Sequence, residues 1–276
     1  TLDMQNTDKL YTFKQELERL DIDLLPPNIN KSDVMFRVEE TADGDAVRYA
    51  LAAIKNVGEG AMKNIIDDRE KNGDYKDVSD LANRLDTKSI NKRQIENLIR
   101  SGTLDVLNPN RKLMLEGVGA IVNHAGAAQQ ERESDQIGLF SDEESAVTNI
   151  TLPEISDWLE TDRLKEEFDA IGFYLSAHPL DSYGKALERL KISSYAQLEA
   201  ANVSGPVKLA GMVISKKERI SAKGNKYAFV QLSDSSGSFE ITVFADVLTT
   251  NRELLEAGNK VIINASADNA DQFKLL

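Results

Sequence analysis

The chain has 276 residues, 41% hydrophobic and 29% charged, with no cysteine and a formal net charge of −13. The lack of cysteine excludes disulfides, thiolate metal sites and cysteine nucleophiles, and it suits the reducing cytoplasm in which the protein is expected. The charge excludes a surface that grips nucleic acid all over, so any DNA contact must come from local basic patches; no apolar run approaches the ~20 residues of a membrane span, and no membrane partner is expected.

Leu10, Phe13, Leu17 and Leu20 recur at three- and four-residue spacing, which predicts a helix over 8–25 that Pro26-Pro27 stops. A strand is expected over 34–38. After the Asp43-Gly44 turn signal, 47–52 should pair back on it as a hairpin. Next, Gly58-Glu59-Gly60 lies between two apolar helical faces in 53–69, the layout of a helix-hairpin-helix. Glycines permit a tight turn, and the second helix then aims free N–H groups at a phosphate. The duplex-DNA candidates are therefore Lys55, Gly58, Gly60 and Lys63. Glu59 stands where the motif usually has an apolar residue, and a plain helical turn is the alternative reading. Short helices are expected over 77–85 and 91–100, with Gly102 as a C-cap. Asn108-Pro109 reads as the N-cap and first turn of a longer helix carrying Leu113, Val118, Ile121 and Val122.

The next stretch is acidic: 131–169 holds thirteen Asp/Glu against three Arg/Lys, a net of −10. Inside it sits Gln136-Ile137-Gly138-Leu139-Phe140. Two adjacent large apolar residues in such a run have little local core to join, so they read as docking anchors, with Gln136 offering an amide. Each anchor contributes roughly 1.5–3 kcal/mol on burial. Ordering the peptide offsets part of that, leaving a contact on the order of micromolar. A loop that tucks Leu139 and Phe140 onto its own domain is the alternative. Helical periodicity returns over 158–173 and again over 194–201.

From Pro206 the texture changes. Strands are expected over 207–214, 227–233, 239–245, 260–265 and 273–276, with a short helix over 250–256. Five short strands with a helix between the third and fourth make the pattern of an OB barrel. The expected class is thus α+β: a mainly helical N-terminal two-thirds with a helix-hairpin-helix, followed by a five-stranded OB β-barrel. Residues 207–227 hold Lys208, Lys216, Lys217, Arg219, Lys223 and Lys226 against Glu218, a net of +5. Tyr227 and Phe229 fall on one strand face beside them, with Ala228, Val230 and Leu232 on the other. Aromatics next to cations suit single-stranded nucleic acid, because bases stack and phosphates pair. The candidates are Lys216, Lys217, Arg219, Lys223, Lys226, Tyr227 and Phe229, with Phe229 packed in the core as the alternative. No catalytic or metal residue is assigned. Asp21-Ile22-Asp23 and Asp43-Gly44-Asp45 fall at a helix end and a turn, where acids cap or are solvated. His124 and His178 lack partners at ligand spacing.

Taken in order, these pieces resemble the C-terminal part of the C-family bacterial replicative polymerases, the polymerase III alpha-subunit family. The end of that family's fingers region resembles 10–30, with Phe13-Lys14-Gln15-Glu16 and Leu24-Leu25-Pro26-Pro27-Asn28. Its helix-hairpin-helix is similar to 53–69, and Leu98-Ile99-Arg100-Ser101-Gly102-Thr103-Leu104-Asp105 is also typical. The most specific stretch runs from Lys165 to Leu180 and ends in Ala177-His178-Pro179-Leu180. Gln136, Leu139 and Phe140 lie where the family keeps a peptide that binds the sliding clamp. The resemblance implies a division into 1–50 (end of fingers), 51–128 (helix-hairpin-helix region), 129–152 (acidic linker with the clamp peptide), 153–205 (helical connector) and 206–276 (OB domain). It implies duplex and single-stranded DNA, the sliding clamp and other replicase subunits as partners. The nucleotidyl-transfer carboxylates and their Mg²⁺ belong to a palm domain that lies outside these residues, so this chain is expected to be inactive alone and to carry no cofactor. Two readings of the barrel from other classes stay open: a stand-alone single-strand-binding protein and a tRNA-binding module. A third is a barrel that binds protein.

Overall fold

The computed structural model describes residues 3–4, 6–42, 44–135, 150–221, 224–268 and 274–276. Two units divide the chain, Thr1–Ser176 and Ala177–Leu276.

In the first unit, α1 (Thr7–Arg19) begins at Asn6, whose side chain accepts the Lys9 N–H. The helix is shorter than the apolar spacing predicts. Leu24–Leu25 leave it as strand β1, which runs parallel to residues 47–48. Strands β2 (Arg37–Thr41) and β3 (Gly44–Arg48) form a hairpin, in the sheet order β1-β3-β2, whose second strand begins at the turn itself and ends before the expected 47–52 does. The first strand of that hairpin starts later than the expected 34. The Asp33 and Val34 carbonyls accept the N–H groups of Leu51 and Ala52, so they are unavailable to the ladder.

A 3₁₀ turn over Leu51–Ala53 leads through 54–58 into α2 (Glu59–Asn72). Helices α3 (Val78–Arg84) and α4 (Lys92–Arg100) follow, capped by Asp77 and by a reciprocal Asn91–Gln94 capping box. The single long helix expected from Asn108 is instead two, α5 (Arg111–Glu116) and α6 (Val118–Asp135). The Asn108 side chain accepts the Asn110 N–H at 2.9 Å and holds a turn, so Asn110 becomes the cap. Residues 150–155 lie along this unit, with the Ile150 N–H on Ser79 and the Ile155 carbonyl on Asn110. Helix α7 (Glu160–Ile171) completes it.

One apolar core runs through residues 4–175, in which Tyr49, Met62, Leu98, Met114 and Ile171 are fully buried. Around it a polar lattice joins two of the stretches that carry the family resemblance. Asp105 accepts a forked pair of bonds from Arg111 and one from Arg163 at 2.7 Å. Buried Glu167 lies 3.7 Å from Arg111 and accepts the N–H groups of Leu175 and Ser176 at 2.9 Å each. Gly102 is required here twice over. Its φ is +80°, and a Cβ would stand 2.0 Å from the Arg111 guanidinium. The runs 98–105 and 165–176 therefore do structural work, locking α4, α5 and α7 together.

In the second unit, α8 (Gly184–Arg189) and α9 (Tyr195–Ala200) precede β4 (Gly205–Ile220), β5 (Lys226–Asp234) and β6 (Gly237–Phe244). Then come α10 (Ala245–Asn251), β7 (Lys260–Asp268) and β8 (Lys274–Leu275). The five strands close into a barrel in the order β4-β5-β6-β8-β7, with β7 returning antiparallel to β4. This is the OB arrangement expected. The helix between its third and fourth strands lies at 245–251, earlier than the expected 250–256, and turns carry the chain through 252–256. Alternate residues Ala228, Val230 and Leu232 are wholly buried in the barrel. Helix α9 is pinned to it by Tyr195, whose ring stacks on Phe239 at 5.1 Å and whose N–H reaches Asp234 at 2.7 Å.

Candidate nucleic-acid interface

In the first unit the candidate site is the N-terminus of α2. Asn56 turns the chain with a left-handed φ of 61°, and Gly58 becomes the N-cap in extended conformation with no side-chain cap bond. The first helical bond runs from the Met62 N–H to the Gly58 carbonyl. The N–H groups of Glu59, Gly60 and Ala61 therefore point out of the helix without intrahelical partners. Such a terminus carries a partial positive charge and suits an anion. Gly60 and Lys63 are exposed here, and so is Glu59. Lys55 is placed differently from the other three candidates. Its N–H donates to the Ala170 carbonyl at 2.9 Å, and its ammonium lies 5.8 Å from the centre of the Phe168 ring. Burial lowers the pKa of this half-buried amine, and nearby Asp169 partly restores it. It is held against α7.

In the second unit the candidate site is the outer face of β4, β5 and β6. Tyr227 and Phe229 alternate with the buried Ala228 and Val230, so both rings point outward, in edge contact at 5.5 Å. Phe229 is not a core residue of the barrel. The ladder sets Lys217 opposite Phe229 and Arg219 opposite Tyr227 on one side. Thr242 and Phe244 oppose the same two aromatics on the other. Directly opposed residues share a face, so two cations and three aromatic rings stand together. Neither Lys217 nor Arg219 is ion-paired among the described residues. Phe244, 55% exposed, was missed in the sequence reading. Its position opposite Tyr227 depends on hairpin register.

A β-bulge decides which lysines reach this face. The β4–β5 register shifts between Val213 and Ser215. Before it, odd-numbered Val207, Leu209 and Val213 point into the barrel. After it, the odd-numbered residues point out, because one extra residue inverts the alternation. Lys216 is thereby turned away from the aromatics, and its ammonium bonds Glu256 at 2.6 Å and the Arg252 carbonyl at 3.2 Å. Glu218 takes Arg252 on the same side. Lys226, exposed at the start of β5, faces Ile220 across the hairpin. Lys223 lies outside the described residues, as do Gln136, Leu139 and Phe140. Among the described residues no helix is long and apolar enough to cross a membrane.

Two family models match the chain: a helix-hairpin-helix motif over residues 21–114 and an OB-fold nucleic acid binding domain over 207–272. Among curated proteins, DNA polymerase III subunit alpha of Caulobacter vibrioides is 37% identical over 98% of this chain. The subunits of the same name from Vibrio cholerae and Escherichia coli K12 are 32% identical over 99% and 96% of it. In each case the match covers 23% of the relative's own length. The chain thus belongs to the DNA polymerase III alpha-subunit family, as a segment that spans about a quarter of the length of those relatives.

Proposed function

We propose that this chain is the tethering and guiding portion of a replicative polymerase, serving DNA-directed DNA synthesis in the cytoplasm without performing nucleotidyl transfer itself. The α2 N-terminus holds duplex phosphates through the backbone around Gly58 and Gly60, helped by Lys63. The barrel face receives the single-stranded template, with bases on Tyr227, Phe229 and Phe244 and phosphates on Lys217 and Arg219. Gln136, Leu139 and Phe140 dock into the sliding clamp. Each contact is weak, and linkage makes them effective together, because a chain tied to a clamp that encircles DNA meets its template at high local concentration. The observation that carries this reading is the barrel face, where half-buried Tyr227 and Phe229, exposed Phe244 and two cations without an ion pair among the described residues share one ladder. The polymerase relatives support it. Nucleotidyl transfer and its Mg²⁺ are assigned to the palm domain of the longer proteins.

The test is surface plasmon resonance on an immobilised sliding clamp, comparing the chain with a Gln136→Ala/Leu139→Ala/Phe140→Ala variant. Saturable binding on the order of micromolar for the first and none for the second is expected. Equal binding by both would move the clamp contact elsewhere, and primer extension by the chain alone would overturn the non-catalytic assignment.

A further inference from the structure

We propose that the groove between α1 and the three-stranded sheet docks a basic, amphipathic segment of the longer polymerase chain, which fastens the first unit to the rest of the enzyme. This contact is independent of those with DNA and the clamp.

The alternation of the hairpin builds the groove. Ala46 and Arg48 are buried, and Arg48 is held by Glu39 at 2.7 and 2.8 Å. Asp45 and Val47 therefore lie on the other, outer face, with their ladder partners Glu40 and Val38 and with Leu24 beside Val47. Over Leu24 and Val47 lies a cavity of about 330 Å³, walled by Phe13 and Leu20 of α1 and by Phe36 and Phe173. Phe13 and Leu20 are exposed, and Val38 is 66% exposed. Large apolar residues left open around one groove mark a docking surface. Tyr49 lines the same cavity, with its ring 5.1 Å from Phe36 and 6.2 Å from Phe173. Its hydroxyl is buried without a hydrogen-bond partner, the one side-chain polar atom in that state among the described residues. Buried polar groups are ordinarily satisfied, so this hydroxyl lacks an acceptor that a docked backbone carbonyl would supply.

The acidic end of the groove sets the sign of the occupant. Glu40 and Asp45 stand directly opposite each other, and like charges so placed repel. Neither has an ion pair among the described residues, because the nearby cations are engaged elsewhere. Arg48 and Lys31 pair with Glu39, Arg37 with Asp33, Arg19 with Glu16 and Lys14 with Glu18. Asp21 and Asp23, exposed beyond the end of α1, add the same sign. The missing complement is a lysine or arginine next to an apolar anchor. Size decides its source. A stable interface between free partners takes ~800 Å² on each side, and so small a cavity offers few anchors to offset the cost of association. A segment of the same chain meets the groove at high effective concentration, so a weak contact suffices. The polymerase relatives have chain to supply it, since the matched region is 23% of their length.

The experiment is hydrogen exchange read by mass spectrometry, on this chain and on a full-length polymerase carrying it. Amides of residues 10–20 and 44–49 should exchange about tenfold more slowly in the longer protein. Glu40→Lys turns the like-charged pair into an opposite-charged one, so this chain should be at least as stable, while most of the added protection should vanish from the longer protein. Tyr49→Phe keeps the ring and removes a buried hydroxyl that has no partner. It should hold or raise the thermal midpoint of this chain and cut the protection in the longer protein severalfold. Equal exchange in the two proteins overturns the proposal, as does protection that survives both substitutions. Protection of this chain alone that grows with its concentration would make the occupant a second copy and overturn it as well.

Discussion

At the α2 N-terminus the candidate contacts are backbone N–H groups, whereas on the barrel face they are lysine and arginine side chains and the faces of aromatic rings. The first arrangement needs almost no basic residues. It arises wherever a helix begins without a side-chain cap, and so it can operate in a chain of net charge −13. The second needs local density, and the sequence supplies it as a net of +5 over 207–227. Backbone donors grip any phosphate and are blind to strandedness. Exposed rings need an unstacked base and therefore select single strands. On the proposed reading, an acidic protein handles both forms of DNA by keeping the two materials in separate units.

The sharpest way to break this comparison is to remove the rings. Tyr227→Ala/Phe229→Ala should lower oligo-dT affinity on the order of 100-fold, since stacking contributes about 1–3 kcal/mol per base. Both rings lie outside the barrel core, so the fold should hold and duplex affinity should be unchanged. Anisotropy with the two probes measures both, and parallel losses would show that the units are not chemically distinct.

A smaller effect tests the bulge. Lys217→Ala/Arg219→Ala should reduce the salt dependence of oligo-dT binding by about 0.7 in log–log slope for each lost phosphate contact. Lys216→Ala should leave that slope unchanged, because this ammonium already bonds Glu256 and the Arg252 carbonyl. An equal drop for Lys216 would mean that the inward side of the hairpin also meets the strand.

The limits of reading the chain from sequence show at the same places. The barrel was legible because each strand carries period-two apolar positions and turn signals separate most of them, and Tyr227 and Phe229 followed from that alternation. Lys216 and Lys217 could not be told apart, because nothing in Ile214-Ser215-Lys216 announces the extra residue that inverts the strand. Phe244 was hidden for a related reason: its neighbours are cross-strand. In the first unit the start of a helix beside Gly58 was legible from local chemistry, but the turn itself lies earlier, at Asn56, and Glu59 and Gly60 already belong to α2. The burial of Lys55 was not legible, since it depends on α7, more than a hundred residues later.

Glu59 gives the smallest effect and the most specific test of the backbone-donor site. Its carboxylate occupies the first position of α2, where it favours the helix by about 0.3–1 kcal/mol through the dipole. The same charge repels a phosphate brought to those N–H groups by on the order of 1 kcal/mol in a largely aqueous setting. Glu59→Gln should therefore move two observables in opposite directions. Duplex affinity should rise two- to fivefold by anisotropy, and the thermal midpoint of the first unit should fall by about a degree or two. A surface charge with no phosphate nearby would change stability alone. A duplex affinity that stays fixed while the midpoint falls would place the phosphate away from α2, and the contrast between a backbone site and a side-chain site would lose its first half.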